Sequence, residues 1–130
     1  MPSIFSRIIQ GEIPCYKIAE DDDNFAFLDI NPNSEGHTLC VPKNEIDKLT
    51  DMDEESYLRL MRFSRRVALA VEQSVDCLRV GMTVIGLEVP HVHVHIIPLR
   101  EMGDATFQRK VSLRPQEFEA LASKIRANLK

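Results

Sequence analysis

Tryptophan is absent from this sequence, and cysteine is sparse: Cys15, Cys40 and Cys77 are odd in number, widely separated and never arranged as Cys-x-x-Cys. That usage excludes a disulfide framework and a cysteine-based metal site, and it fits a reducing compartment, the cytoplasm. A basic excess is also lacking. The net charge is −4 and the pI about 5.5, so no face for nucleic acid is expected. No run approaches the roughly 18 apolar residues of a membrane span, and the opening MPSIFSRIIQGEIP has no charged region followed by a long apolar stretch. Neither membrane insertion nor export is therefore expected. With 44% hydrophobic and 28% charged residues, the chain has the composition of a folded globular protein, and its 130 residues suit one domain spanning 1–130.

Periodicity and turn chemistry divide the chain. Residues 3–9 place Ile4, Phe5, Ile8 and Ile9 at helical spacing before Gly11 and Pro14, which predicts a short helix. Residues 15–19 and 24–30 read as strands joined by the acidic turn Glu20-Asp21-Asp22-Asp23. A second turn, Asn31 to Gly36, leads into a strand over 37–41 that ends at Pro42. Alternation then puts Phe25, Phe27 and Asp29 on one face of this hairpin, and His37, Leu39 and Val41 on one face of its partner.

Residues 53–74 form the longest predicted helix. Its opening acids Asp53, Glu54 and Glu55 suit the helix dipole, and its arginines 59, 62, 65 and 66 read as a solvated face. Strands are expected over 77–85 and 91–97, and a helix with Phe118, Leu121, Ala122, Ile125 and Leu129 at helical spacing begins shortly after Ser112, with Pro115 in its first turn. Strands around one long helix indicate an α+β fold with a mostly antiparallel sheet.

Three of only four histidines recur at alternate positions, His91, His93 and His95. On one strand their side chains would share a face, spaced roughly 6.5 to 7 Å apart, with Val92, Val94 and Ile96 toward a core. Imidazole binds metal, moves protons or attacks as a nucleophile. Two chemistries stay open on these residues alone. In one, the histidines hold zinc with His37 or Glu88 as a further ligand. In the other, the central histidine attacks phosphorus, which requires its far ring nitrogen to be held as a donor.

The stretch HVHVHII resembles the His-φ-His-φ-His-φ-φ signature of the histidine triad (HIT) proteins, which are nucleotide hydrolases and transferases. IFSRIIQGEIP, FAFLDINP and GHTLCVPK match in the same order, so the likeness spans roughly residues 3–98. It implies a HIT-like α+β fold: a five-stranded antiparallel sheet per protomer, one long helix, a short N-terminal helix and a C-terminal helix. Residues 101–130 form an atypical extension. The likeness further implies a homodimer, a purine nucleotide or nucleotide conjugate as ligand, and no cofactor. His93 would be the nucleophile that forms a nucleotidyl-histidine, with His91, His95 and His37 orienting it and stabilising phosphate charge. Asp29 would accept from the ribose hydroxyls. Ile4, Phe5, Ile8, Phe27, Ile30 and Leu39 would line the base pocket, and Gly86 and Val89 would fit the loop before the triad.

Two departures from the family pattern stand out. Leu87 and Glu88 replace a glutamine and a hydroxyl residue that contact phosphate or leaving group, which removes donors and adds a carboxylate. Some bacterial relatives also hold structural zinc through Cys-x-x-Cys, a later histidine and a triad histidine. Here Ser3, Ser6 and Glu45 stand at those positions, so no structural metal is expected.

Overall fold

Strand alternation sorts the sheet into two dissimilar faces, and the site lies on one of them. The computed structural model describes all of residues 1–130 and contains five strands and three α-helices. In chain order these are α1 (Ile4–Ile9), β1 (Lys17–Glu20), β2 (Asn24–Leu28), β3 (Thr38–Pro42), α2 (Glu54–Ser74), β4 (Arg79–Thr83), β5 (Val94–Leu99) and α3 (Pro115–Ala127). The sheet runs β1-β2-β3-β5-β4 with every pairing antiparallel.

One face meets the helices. Ala26, Leu28, Cys40, Val94 and Ile96 pack there with Leu60, Phe63, Val67, Ala70 and Val71 of α2 and with Phe118, Leu121, Ala122 and Ile125 of α3. Val92 joins the same cluster, as its alternation with Val94 and Ile96 anticipates. The C-terminal segment is thus bound into the core that α2 covers, and Tyr16 stacks on Phe118 with ring centroids 4.9 Å apart. The opposite face carries a smaller cluster, Phe5, Phe25, Phe27, Leu39 and Val41, closed by α1.

Local signals set the helix ends. The Asp53 carboxylate accepts from the Ser56 amide at 3.2 Å, and Glu54 and Glu55 sit in the positive first turn of α2. Pro115 opens α3, where its missing N–H has no intrahelical partner to lose. Arg62, Arg65 and Arg66 are exposed, while Arg59 pairs with Asp23 at 3.3 Å. No helix is long and apolar enough to cross a membrane.

The last strand differs from its expected span. It begins at Val94, so His91 and His93 precede it and only His95 lies within it. The ladder between β3 and β5 ends at the pair Cys40 and Val94, beyond which Pro42 has no N–H to offer. Released from the ladder, the Pro42 carbonyl accepts from a side chain described below.

Ile125 is fully buried between α3 and the sheet. Ile125→Ala is expected to lower the unfolding free energy by about 2 to 5 kcal/mol. Urea denaturation followed by far-ultraviolet circular dichroism checks this. A single shifted transition is the expected result, and selective loss of α3 signal before the rest would contradict a shared core.

Candidate active site

Burial obliges each imidazole to satisfy its ring nitrogens, and the pattern of partners assigns the tautomers. His37 precedes β3 and is fully buried. Its Nδ1 accepts from the Asn33 amide at 2.9 Å, so its proton resides on Nε2. That Nε2–H lies 3.0 Å from His95 Nδ1, which must then accept and leave His95 protonated on Nε2. A one-way chain results: Asn33 N–H to His37, and His37 to His95.

Both rings are held neutral. Burial first, then the charges of His95, Lys110 and His93, lowers the His37 pKa to about 3. Burial, followed by His93 and Lys110, lowers that of His95 to about 4.

His91 is fully buried and turned away from the other two triad members. Its Nε2 donates to the Pro42 carbonyl at 2.8 Å, and its Nδ1 accepts from Ser3 Oγ at 2.6 Å. Ser3 also caps α1 by accepting the Ser6 amide at 3.1 Å. Glu45 Oε1 in turn receives the Ser3 amide at 2.6 Å and the Ser6 hydroxyl at 2.8 Å. Ser3, Ser6, Glu45 and His91 therefore meet as one hydrogen-bond network, and the serines and Glu45 lie together as their expected correspondence implies. Burial pushes the His91 pKa down, opposed by the Pro42 carbonyl and Glu45.

His93 folds back on its own backbone. Its Nδ1 lies 2.8 Å from the His91 carbonyl, which can only accept, so Nδ1 carries a proton and, in the neutral ring, Nε2 carries the lone pair. Phe5 packs edge-on against the His93 ring at 4.8 Å, and the His95 ring lies 4.8 Å away. His93 and His95 retain 7% and 8% exposure, against none for His37 and His91. His93 Nε2 and His95 Nε2 are the two ring nitrogens without a protein partner, and neither is sealed from solvent. One is a nucleophilic lone pair, the other a hydrogen-bond donor.

Asp29 closes one side of the cluster. Its Oδ1 accepts the Asn31 amide at 2.8 Å, the turn role its place before Asn31-Pro32 suggests, while Oδ2 lies 3.6 Å from His37 Nε2. Burial raises its pKa, partly offset by the Asn31 amide, Lys110 and His93. Asp29, His37 and His95 also offer ligand atoms within 4.8 Å of one another, a spacing suited to a divalent ion. Two nitrogens of that set, His37 Nε2 and His95 Nδ1, are joined to each other by the 3.0 Å hydrogen bond. The set His91, His93 and His95 does not converge, because both His91 nitrogens have other partners.

The remaining expected residues divide. Phe5, Phe27 and Leu39 are buried together beside His93, with Ile8 and Val89 packed at their margin. Ile4 and Ile30 are 47% and 72% exposed and stand outside that cluster. Gly86 holds φ +77°, which favours glycine, in the loop that precedes the triad. Glu88 and Leu87 are exposed, and Glu88 forms no ion pair or side-chain hydrogen bond.

Three participants carried no sequence signal. The Asn33 amide fixes the His37 tautomer, the Phe107 ring stands edge-on to His95 at 4.9 Å, and Lys110 donates to Asn33 Oδ1 at 2.7 Å.

The chain is similar to known proteins in sequence and in fold. The family model for the HIT domain matches residues 10–102. Adenosine 5′-monophosphoramidase hnt1 of Schizosaccharomyces pombe is 34% identical over 133 residues, covering all of both chains. An uncharacterized HIT-like protein of Borreliella burgdorferi is 34% identical over 135 residues, 97% of each. A crystal structure of a Hit-like protein from Bartonella henselae superposes with a TM-score of 0.85 at 32% identity, covering 98% of this chain and 96% of that one.

Two outcomes are expected from the hydrogen-bond pattern. Ser3→Ala leaves His91 Nδ1 and the Ser6 amide without their partner and should cost about 1 to 3 kcal/mol of stability, read from urea midpoints. Acid should destabilise the fold through His37 and His95. Their folded pKa values lie below the unfolded value of about 6.5, so the unfolded chain binds more protons and stability falls as pH drops below about 6.5. The fall continues toward about 4 for His95 and about 3 for His37. Melting curves of His37→Asn between pH 4 and 7 should show a shallower slope than the parent.

Proposed function

Because this chain belongs to the HIT family, we propose that it hydrolyses or transfers nucleotides by cleaving a phosphoramidate or phosphoanhydride bond at the α-phosphate of a nucleoside 5′-phosphate derivative. The observation that carries the reading is the bond from His93 Nδ1 to its neighbour's carbonyl, which leaves Nε2 unprotonated and outward. Its lone pair attacks phosphorus, and the bond to the leaving amine or phosphate breaks with its electron pair on the departing group. Water then attacks the nucleotidyl-histidine, loses a proton, and returns the electron pair to Nε2 as the nucleoside monophosphate departs.

The neighbouring groups serve that step. His95 Nε2–H donates to a phosphoryl oxygen, and His37 keeps it in that tautomer. His91 presents its carbonyl to His93 at a fixed position, since its ring is anchored at both ends. Asp29 accepts from ribose hydroxyls, and a purine lies against the apolar cluster of Phe5, Phe27 and Leu39, extended by Ile8, Val89 and the exposed Ile4 and Ile30. The related phosphoramidases of Schizosaccharomyces pombe and Saccharomyces cerevisiae favour adenosine phosphoramidate as a first substrate.

The acting species is a homodimer in the cytoplasm. β4 ends the sheet with one edge unpaired, Met82 of that strand and the following Ile85 and Leu87 are exposed, and α2 leaves Tyr57, Leu58 and Leu69 exposed. An apolar strand edge of this kind is stabilised by pairing. The three cysteines are free thiols, in keeping with a reducing compartment.

Release of AMP from adenosine 5′-phosphoramidate and diadenosine polyphosphates, with and without chelator, tests the chemistry. Activity should resist chelator and fall by about a thousandfold or more in His93→Ala, with an acid-labile nucleotidyl-protein trapped in the parent. Activity lost with chelator would instead favour an ion at Asp29, His37 and His95. Sedimentation equilibrium should give a dimer for the parent, with Met82→Lys shifted toward monomer; a monomeric parent would remove the dimer from the reading.

A further inference from the structure

His37 and His95 are held neutral by their own hydrogen bonds, yet a positive charge stands beside them. Lys110 lies outside residues 10–102, where the family match ends. Its ammonium donates to Asn33 Oδ1 at 2.7 Å and sits 5.0 Å from the centre of the Phe107 ring. Asn33 is almost fully buried, donates its side-chain amide to the Asp104 carbonyl at 3.0 Å, and holds His37 through its backbone N–H. Phe107 packs edge-on against His95 at 4.9 Å and His37 at 6.0 Å. The Val111 amide bonds the Pro32 carbonyl at 3.0 Å, which ties the segment down just after the lysine.

The partners of Lys110 are what distinguish it. Lys17, Lys43, Lys48 and Arg109 each pair with a carboxylate, whereas Lys110 has only a neutral amide oxygen and an aromatic face. Its charge is positioned but not neutralised. It is also the one lysine or arginine whose field acts on Asp29, His37 and His95 alike. An ammonium held at a set place next to neutral donors suits an anionic oxygen ligand.

Resting on the nucleotide reading above, we propose that Lys110, held by Asn33 and Phe107, is a phosphoryl-binding residue of this site, supplied by the C-terminal segment. Phosphoryl oxygens reach it either from the α-phosphate or from a further phosphate of the ligand. The charge stands beside His95 and leaves it free to donate as a neutral imidazole.

Titrations of adenosine, AMP, ADP and inorganic pyrophosphate into the parent, Lys110→Met and Lys110→Arg test this, using calorimetry and the histidine ring resonances. Lys110→Met should weaken AMP, ADP and pyrophosphate by roughly tenfold or more, should leave adenosine affinity within about threefold, and should be partly rescued in Lys110→Arg. Equal losses for AMP and ADP would place the α-phosphate at Lys110, and a larger loss for ADP would place the second phosphate there; both support the proposal. Unchanged phosphate affinities, or an adenosine loss as large as that of AMP, would overturn it. Should the parent bind pyrophosphate through Lys110 but not adenosine, the anion site stands and the nucleotide reading falls. A parent that binds none of the four probes overturns the proposal. Melting temperatures of both variants report whether the fold is kept.

Discussion

Four buried or nearly buried imidazoles gather on one side of a sheet, and the rest of the site depends on how their ring nitrogens are satisfied. A buried polar atom without a partner costs about 1 to 3 kcal/mol, so partners that only donate or only accept force each ring into one tautomer. The Asn33 amide can only donate, and the carbonyls of Pro42 and His91 can only accept. From these three fixed groups the tautomer of each neutral ring follows. The two nitrogens left over are those that face outward, a lone pair on His93 and an N–H on His95. Nucleophile and donor thus arise as the remainder of a satisfied network.

The same network explains why distant parts of the chain converge here. Ser3 caps the first helix and is the partner of His91 Nδ1, Pro42 ends a strand, and Asn33 belongs to a turn. Each is a terminus or turn where the backbone has groups to spare, because regular ladders consume their own donors and acceptors. Glu45 completes the N-terminal portion by gathering the Ser3 amide and Ser6 hydroxyl. This hydrogen-bonded cluster ties α1 to the triad through Ser3 and His91.

Much of the architecture was legible in the chain. The five strands and three helices lie near their expected positions, because period-two and helical apolar patterns record which face meets a core. The face of the hairpin that joins Phe25 and Phe27 to Leu39 and Val41 followed from alternation alone. The span of the last strand did not, since whether residues 91–93 pair depends on Pro42 across the sheet. The exposure of Ile4 and Ile30 was also not legible, since side-chain exposure is decided by what lies opposite.

The sequence by itself determined the triad's residue types, the alternation that separates His95 from Val94 and Ile96, and the family signature that four ordered segments share. These are local properties, carried by the spacing of side chains along one strand or turn. Only the tertiary structure decided that His91 turns away to Ser3 and Pro42, that Asn33 sets the proton on His37, and that Phe107 and Lys110 return to the histidines from the far end of the chain. Those contacts join residues separated by as many as 88 positions, and no local pattern encodes them. Their physical cause is the demand for buried polar groups to be paired, which is met wherever the fold brings a donor and an acceptor together.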